Sequence, residues 1–155
     1  MKPPKCKVFP PSARYRQKVV RSLQFDRDTL VIDIQGEGFS FARIVFQKVV
    51  GFRVLDERDL CEFWNTYSEP VGWLYEVEEG GWLELESQRE LFNSPVFYRE
   101  LHEYFLVDEK CVSVLAAEPP EIRDLGTNPE NEPNQAPEPT PTAVTPPAGQ
   151  EARQP

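Results

Sequence analysis

The sequence lacks any long apolar segment, and it has few residues that bind metals or form disulfides. No stretch approaches the about 18 consecutive apolar residues of a membrane span, and the first residues carry charge without the apolar run of a secretion signal. The three cysteines, Cys6, Cys61 and Cys111, are odd in number and widely spaced, which favours free thiols in a reducing compartment over a disulfide framework. We therefore expect a cytoplasmic protein without a membrane partner.

The chain also lacks the spacings that build catalytic or metal centres. His102 is the single histidine, and there is no Cys-x-x-Cys or His-x-x-x-His pattern, so we expect no metal and no cofactor. A Cys–His pair between His102 and Cys61 or Cys111 is the alternative, but no third orienting group is identifiable. We expect both cysteines to be small core residues. Without a coherent nucleophile, base or metal set, the sequence does not indicate an enzyme.

Large apolar residues are absent from the C-terminal part of the chain. Residues 127–155 contain eight prolines, and Val144 is their only residue among Ile, Leu, Val, Phe, Trp, Tyr, Met and Cys. Such a segment buries too little apolar surface to offset its ordering entropy. The sequence thus predicts a disordered Pro-rich tail at 127–155, a single globular domain at 19–126, and an irregular basic lead-in at 1–18.

Acidic residues outnumber basic ones in residues 1–126 taken together. The net charge is −9, and without the tail 22 acidic and 16 basic residues remain. This balance argues against nucleic acid as a partner, because phosphate backbones need clustered Lys and Arg. It is compatible with a basic protein partner. Seven of the bases lie within residues 1–21, and we expect this segment to lie across the acidic domain, a frayed terminus being the alternative.

Alternating apolar residues predict a series of antiparallel strands. Residues 19–25, 29–35, 39–46 and 49–55 are expected to form a meander, with Gly51 at a bulge. Two closing strands are predicted at 103–107 and 111–115, and Pro119 with Pro120 is expected to end the fold.

Two helices are predicted between these strands. Asp56 is a candidate cap, and Leu60, Phe63, Trp64 and Tyr67 form one apolar stripe, which indicates a main helix at about 57–67. Ser94 and Pro95 have the pattern of a helix start, which predicts a short helix at about 95–101.

The most distinctive segment is rich in glutamate. Residues 73–77 and 82–86 are expected to pair as a hairpin around 78–81. Its side chains form the candidate partner-binding residues: Glu76, Glu78, Glu79, Glu84 and Glu86, with Trp73 and Trp82 as aromatic anchors. Four further acids, Asp56, Glu57, Asp59 and Glu62, lie at the start of the main predicted helix. Such charge is either a solvated surface or a recognition face.

Two stretches resemble known groups of proteins. Residues 136–155 resemble the tails of otherwise unrelated proteins from mobile bacterial gene cassettes, which implies no function for them. Gly80-Gly81-Trp82-Leu83 and Glu103-Tyr104-Phe105 are loosely similar to small uncharacterised bacterial domains of the immunity type. That resemblance implies neutralisation of a toxin and carries no catalytic residues.

These patterns together predict an α+β fold. We expect a curved, barrel-like antiparallel sheet of six to eight strands with the 57–67 helix packed on one face. The predicted function is a non-enzymatic binding protein that neutralises a basic protein through its acidic face. The alternative is a small-molecule-binding domain with an aromatic-lined groove, since all 18 aromatic residues precede position 106. The sequence predicts no oligomeric state.

Overall fold

The structure is a computed structural model that describes residues 4–14, 18–64, 67, 72–128 and 130. Antiparallel β-structure dominates these residues. The strands are β1 (Lys5–Val8), β2 (Val19–Asp26), β3 (Thr29–Gln35), β4 (Phe41–Phe46), β5 (Val49–Asp56), β6 (Leu74–Glu79), β7 (His102–Leu106), β8 (Lys110–Ala116) and β9 (Glu121–Gly126). The helices are α1 (Cys61–Trp64), α2 (Trp82–Ser87) and α3 (Ser94–Phe97), with 3-10 turns at Pro10–Arg14, Glu57–Asp59 and Glu37–Phe39.

The strands form two separate sheets. One has five strands in the order β1-β6-β7-β8-β5, and the other has four in the order β2-β3-β4-β9. The prediction of one curved sheet of six to eight strands is therefore wrong, although its antiparallel character is confirmed. The meander holds for β2, β3 and β4, but β5 pairs with β8 instead of β4. A short turn at Gln47 and Lys48, with Lys48 at φ 51°, carries the chain from one sheet to the other.

The predicted bulge at Gly51 is confirmed. The pairing of β5 with β8 shifts register between Val49 and Gly51, so that one residue of β5 lacks a partner in the ladder. A bulge bends its strand, and a glycine in a strand leaves room for a close neighbour. Here the neighbour is the indole of Trp82, which lies 3.3 Å from the position that a Cβ of Gly51 would take.

The main core lies between the two sheets. The alternation of Leu30, Ile32 and Ile34 points one face of β3 inward, as the sequence predicts, and all three side chains are fully buried. Tyr104 and Leu106 of β7 meet them from the five-stranded sheet. Burial of such side chains contributes most of the favourable free energy of folding.

A second core covers the outer face of the five-stranded sheet. The ring of Phe63 stacks on Phe105 with 4.2 Å between the ring centroids, and Tyr67 lies edge-on to Tyr75 at 5.3 Å. This sheet is therefore buried on both faces in its central strands, which explains why β7 and β8 carry almost continuous apolar residues.

The main predicted helix is broken into shorter pieces. Asp56 caps it as expected, because its carboxylate accepts a hydrogen bond from the backbone amide of Arg58 at 3.1 Å. A 3-10 turn at Glu57–Asp59 then ends at Leu60, whose φ of −126° is not helical, and α1 follows. Leu60, Phe63 and Tyr67 still face the second core together.

The predicted hairpin at 73–77 and 82–86 is wrong. Its first half is β6, which pairs with β1 and β7, whereas its second half is α2. The short second helix is confirmed as α3, although it ends at Phe97 rather than near residue 101.

Both ends of the described chain contain strands that the sequence analysis does not anticipate. The segment expected to be an irregular lead-in contains β1, an edge strand paired with β6. Pro119 and Pro120 do not end the fold, because β9 follows them and pairs with β4. The predicted disordered tail lies almost wholly outside the described residues, and the domain boundaries stay a prediction.

We expect Phe105→Ala to lower the free energy of unfolding by about 3–5 kcal/mol, because it removes a fully buried ring and leaves a cavity beneath Phe63. Leu91→Ala is the control, since Leu91 is 79% exposed and its loss should cost under about 0.5 kcal/mol. Urea denaturation measures both. Similar losses for the two variants would contradict this account of the second core.

Candidate functional site

The acids on β6 are paired with lysines of β1. Lys7 contacts Glu76 with 3.0 Å between Nζ and Oε2, and Lys5 contacts Glu78 with 3.1 Å between Nζ and Oε2. Lys5 also lies 3.9 Å from Glu79. The basic N-terminal segment thus crosses the acidic strand as expected, and it offsets the charge of three candidate partner-binding residues.

The other two candidate acids lie on α2, and their partners lie in α2 or next to its ends. Glu84 accepts a hydrogen bond from the backbone amide of Gly80 at 2.7 Å. Glu86 uses both oxygens, because Oε1 accepts from the indole Nε1 of Trp82 at 2.9 Å and Oε2 lies 2.7 Å from Nε of Arg89. The five predicted acids therefore occupy one strand and one helix rather than a single hairpin.

The two candidate aromatic anchors have different environments. Trp73 is buried, and its Nε1 donates to the carbonyl of Ser12 at 2.8 Å, so its ring belongs to the core between the sheets. Trp82 is half-buried, with its ring over the bulge at Gly51. Of the two, Trp82 is the more exposed.

The cysteines and the histidine are dispersed. Cys111 is buried as expected, but Cys61 is exposed, which corrects its prediction as a core residue. Burial raises the pKa of Cys6 to about 12, which keeps its thiol protonated at neutral pH. His102 lies 3.1 Å from Glu76, between Nδ1 and Oε1. Among the residues that the structure describes, no three His, Cys, Asp or Glu side chains cluster as a metal site would require.

A second candidate site lies on the outer face of the five-stranded sheet. Gly51, Leu115, Glu103, Val77 and Cys6 are successive partners across β5, β8, β7, β6 and β1. The start of α2 lies over Gly51, Glu103 and Val77 of this row, whereas Val77 and Cys6 also pack in the second core. The neighbouring row on the same face begins with Arg53 and Ser113 and continues into Phe105 beneath Phe63. Arg53 and Ser113 therefore lie next to Glu103 on this face, between Trp82 and the Phe63–Phe105 pair.

A groove opens where this face meets the segment after α2. Its volume is about 390 Å³. Gly51 and Leu115 lie on the sheet side, and Trp82, Phe92 and Phe97 lie on the helical side. The remaining lining residues are Val50, Glu86, Arg89, Leu91, Asn93 and Ser94. Polar and apolar groups thus contribute about equally to the lining of the groove.

Glu103 anchors α2 to the sheet. Its side chain is 1% exposed, and Oε2 accepts the backbone amide of Leu83 at 2.7 Å. Gly81 makes this approach possible, because a Cβ there would lie 2.4 Å from Oε2 of Glu103. Oε1 of Glu103 is buried and has no hydrogen-bond partner in the described part of the chain.

Arg53 lies next to Glu103 on this face. Its guanidinium lies over the ring of Trp82, 4.9 Å from the centroid, and its buried Nε also has no hydrogen-bond partner among the described residues. Burial lowers the pKa of Arg53, while the nearby carboxylates of Glu103, Glu62 and Glu86 act in the opposite direction. Burial raises the pKa of Glu103, and the amides of Leu83 and Trp82 together with Arg53 partly oppose that shift.

No family model, curated protein or solved structure matches the chain. The site is therefore interpreted from its own geometry. In addition, none of the helices within the described ranges is long and apolar enough to cross a membrane.

Sequence reasoning missed Arg53, Glu103 and most of the groove. A signal for the two charged residues does exist, because Arg53 is the lone charge within the apolar run Gly51-Phe52-Arg53-Val54-Leu55, and Glu103 directly precedes the apolar run Tyr104-Phe105-Leu106-Val107. A charge in a strand buried on both faces is costly unless something stabilises it. The groove leaves no comparable signal, since it depends on where α2 and α3 lie.

We expect Glu103→Gln to be more stable than the natural chain at pH 8, with the difference shrinking towards pH 4. Burial raises the pKa of Glu103 above its ordinary value of 4.5. The folded state therefore loses stability as the carboxyl ionises with rising pH, and glutamine avoids that loss while keeping an acceptor for Leu83. Thermal unfolding across this pH range measures the effect. Glu90→Gln, at an exposed position, is the control, and equal pH profiles for the two variants would refute the expectation.

Proposed function

We propose that this chain is a non-enzymatic binding protein that takes a small amphipathic molecule in the groove between β5 and the α2–α3 segment. The groove carries the proposal, because its volume of about 390 Å³ lies within the range of small-molecule sites and its lining combines the aromatic rings of Trp82, Phe92 and Phe97 with polar groups. The polar groups of Arg89, Asn93 and Ser94 at its margin suit a ligand with one polar end.

The exposure of apolar side chains beside the groove supports this proposal. Leu91 and Phe97, which line it, are 79% and 78% exposed, and Val96 next to them is 78% exposed. Clustered exposed apolar side chains on a protein surface are typical of binding sites. Most other large apolar side chains of the described residues lie in one of the two cores.

The acidic face remains a separate hypothesis. A basic protein would need carboxylates that are available for pairing, whereas Lys5 and Lys7 already contact Glu76 and Glu78. Exposed ion pairs of this kind are weak, so a strongly basic partner could still displace the lysines. The groove requires no such displacement, and we therefore prefer it.

A neutral fluorescent apolar probe, N-phenyl-1-naphthylamine, tests the groove. We expect saturable binding by the natural chain and about tenfold weaker binding by Phe97→Ala, because an aromatic ring that covers the probe contributes about 1.5 kcal/mol or more. Val96→Ala is the matched control, since Val96 is equally exposed on the same helix but does not line the groove. Fluorescence titration gives the dissociation constants. Binding that does not saturate, or that Val96→Ala weakens as much, would disprove the proposal.

A further inference from the structure

The floor of the groove continues towards the buried charges. Gly51 and Leu115 line the groove, and the next residue of the same row is Glu103, which pairs with Leu115 across β7 and β8. The wall at this end is Trp82, whose ring lines the groove and also lies beneath Arg53. Trp82 therefore lies between the groove, which neither Arg53 nor Glu103 lines, and Arg53.

The two charged side chains have complementary unused atoms. Nε of Arg53 is a buried donor and Oε1 of Glu103 is a buried acceptor, and both lack a partner among the described residues. Most buried polar atoms of native proteins have a hydrogen-bond partner. Two unpaired buried atoms, one a donor and one an acceptor, therefore indicate that a further group binds here. Leaving each atom unpaired costs more than an ordinary hydrogen bond contributes, because both groups are charged.

We propose that Arg53 and Glu103 form the polar end of this binding site and hold a neutral carboxamide group of the ligand. The inference rests on the proposed function, because the apolar part of the same molecule occupies the groove. The amide N–H donates to Oε1 of Glu103, and the amide carbonyl accepts from Nε–H of Arg53. Entry of the head group requires the indole of Trp82 to move away from Gly51, which breaks the hydrogen bond from its Nε1 to Glu86.

A carboxamide suits these atoms better than a charged head group. It supplies one donor and one acceptor and adds no net charge to a buried site that already contains both signs. A carboxylate offers no donor to Glu103 and is repelled by it, whereas an ammonium offers no acceptor to Arg53 and is repelled by it. Arg89, which lines the groove, leads to the opposite expectation. If Arg89 alone bound the head group, a carboxylate would bind more tightly than a carboxamide.

Three ligands with one apolar body separate these possibilities: 3-phenylpropanamide, 3-phenylpropanoate and 3-phenylpropylamine. We expect the amide to bind the full-length chain at least about tenfold more tightly than either charged ligand, which corresponds to one charged hydrogen bond. Titration of the isotope-labelled protein by NMR gives the affinities. The amide signal of Leu83 should shift most with the carboxamide, because its N–H donates to Glu103.

Glu103→Gln provides the decisive variant. Glutamine keeps an acceptor for Leu83 but replaces the free acceptor with a donor and removes the negative charge. We expect the carboxamide to lose about tenfold in affinity, and the carboxylate to gain, so that the preference disappears or reverses. Arg53→Lys should also weaken the carboxamide, since lysine lacks the Nε–H group. Glu90→Gln, an exposed change of the same chemistry, should leave all three affinities unchanged.

The outcomes distinguish this inference from the proposed function. Equal affinities for the three ligands would mean that only the apolar body is bound and that the buried atoms contact water alone, which overturns the inference and leaves the groove intact. A preference for 3-phenylpropanoate that Glu103→Gln does not alter would assign the head group to Arg89 and also overturns it. Absence of saturable binding by all three ligands would contradict both proposals.

Discussion

The hydrogen bond from the backbone amide of Leu83 to Glu103 is the contact on which the candidate site depends. It joins residues that are 20 positions apart and holds the first turn of α2 against β7. With α2 in that position, the ring of Trp82 lies over Gly51, and the following residues form the second wall of the groove. The buried carboxylate of Glu103 thus caps α2 from a strand that is distant in sequence. Its removal from water opposes this stabilisation.

The requirements on neighbouring residues follow from this contact. Position 81 must lack a side chain, because any Cβ there would meet Glu103 and Val77. Position 51 must be small for the indole of Trp82 to lie close to β5, and the bulge at that position fits the same need. Arg53 then lies above the indole, where its charge offsets part of the field of Glu103. The site is therefore a set of mutually dependent positions on three strands and one helix.

Local pattern predicted those parts of the fold whose stability is local. The alternation in β3 and the bulge at Gly51 could be read from the sequence, because side-chain facing in a strand depends on neighbouring residues. The segment Trp82-Leu83-Glu84-Leu85-Glu86 also alternates, yet it is helical. Its deciding partners are Glu103, which binds Leu83, and Glu86, which binds Trp82 one turn away. A contact from a later strand cannot be recognised in the pattern of the segment itself. For this reason, neither α2 nor the groove could be predicted from the sequence.

The position of the first and last strands has a consequence for the order of folding. Cys6 pairs with Val77, and Ile122 pairs with Ile44, so neither sheet is complete until late segments of the chain are available. Long-range strand pairing of this kind slows folding, because the loops must close before their contacts form. During synthesis, β4 leaves the ribosome with one hydrogen-bonding edge unoccupied until β9 follows. Until β9 is made, that edge of β4 is available to other chains, so a stall in synthesis between these strands favours aggregation.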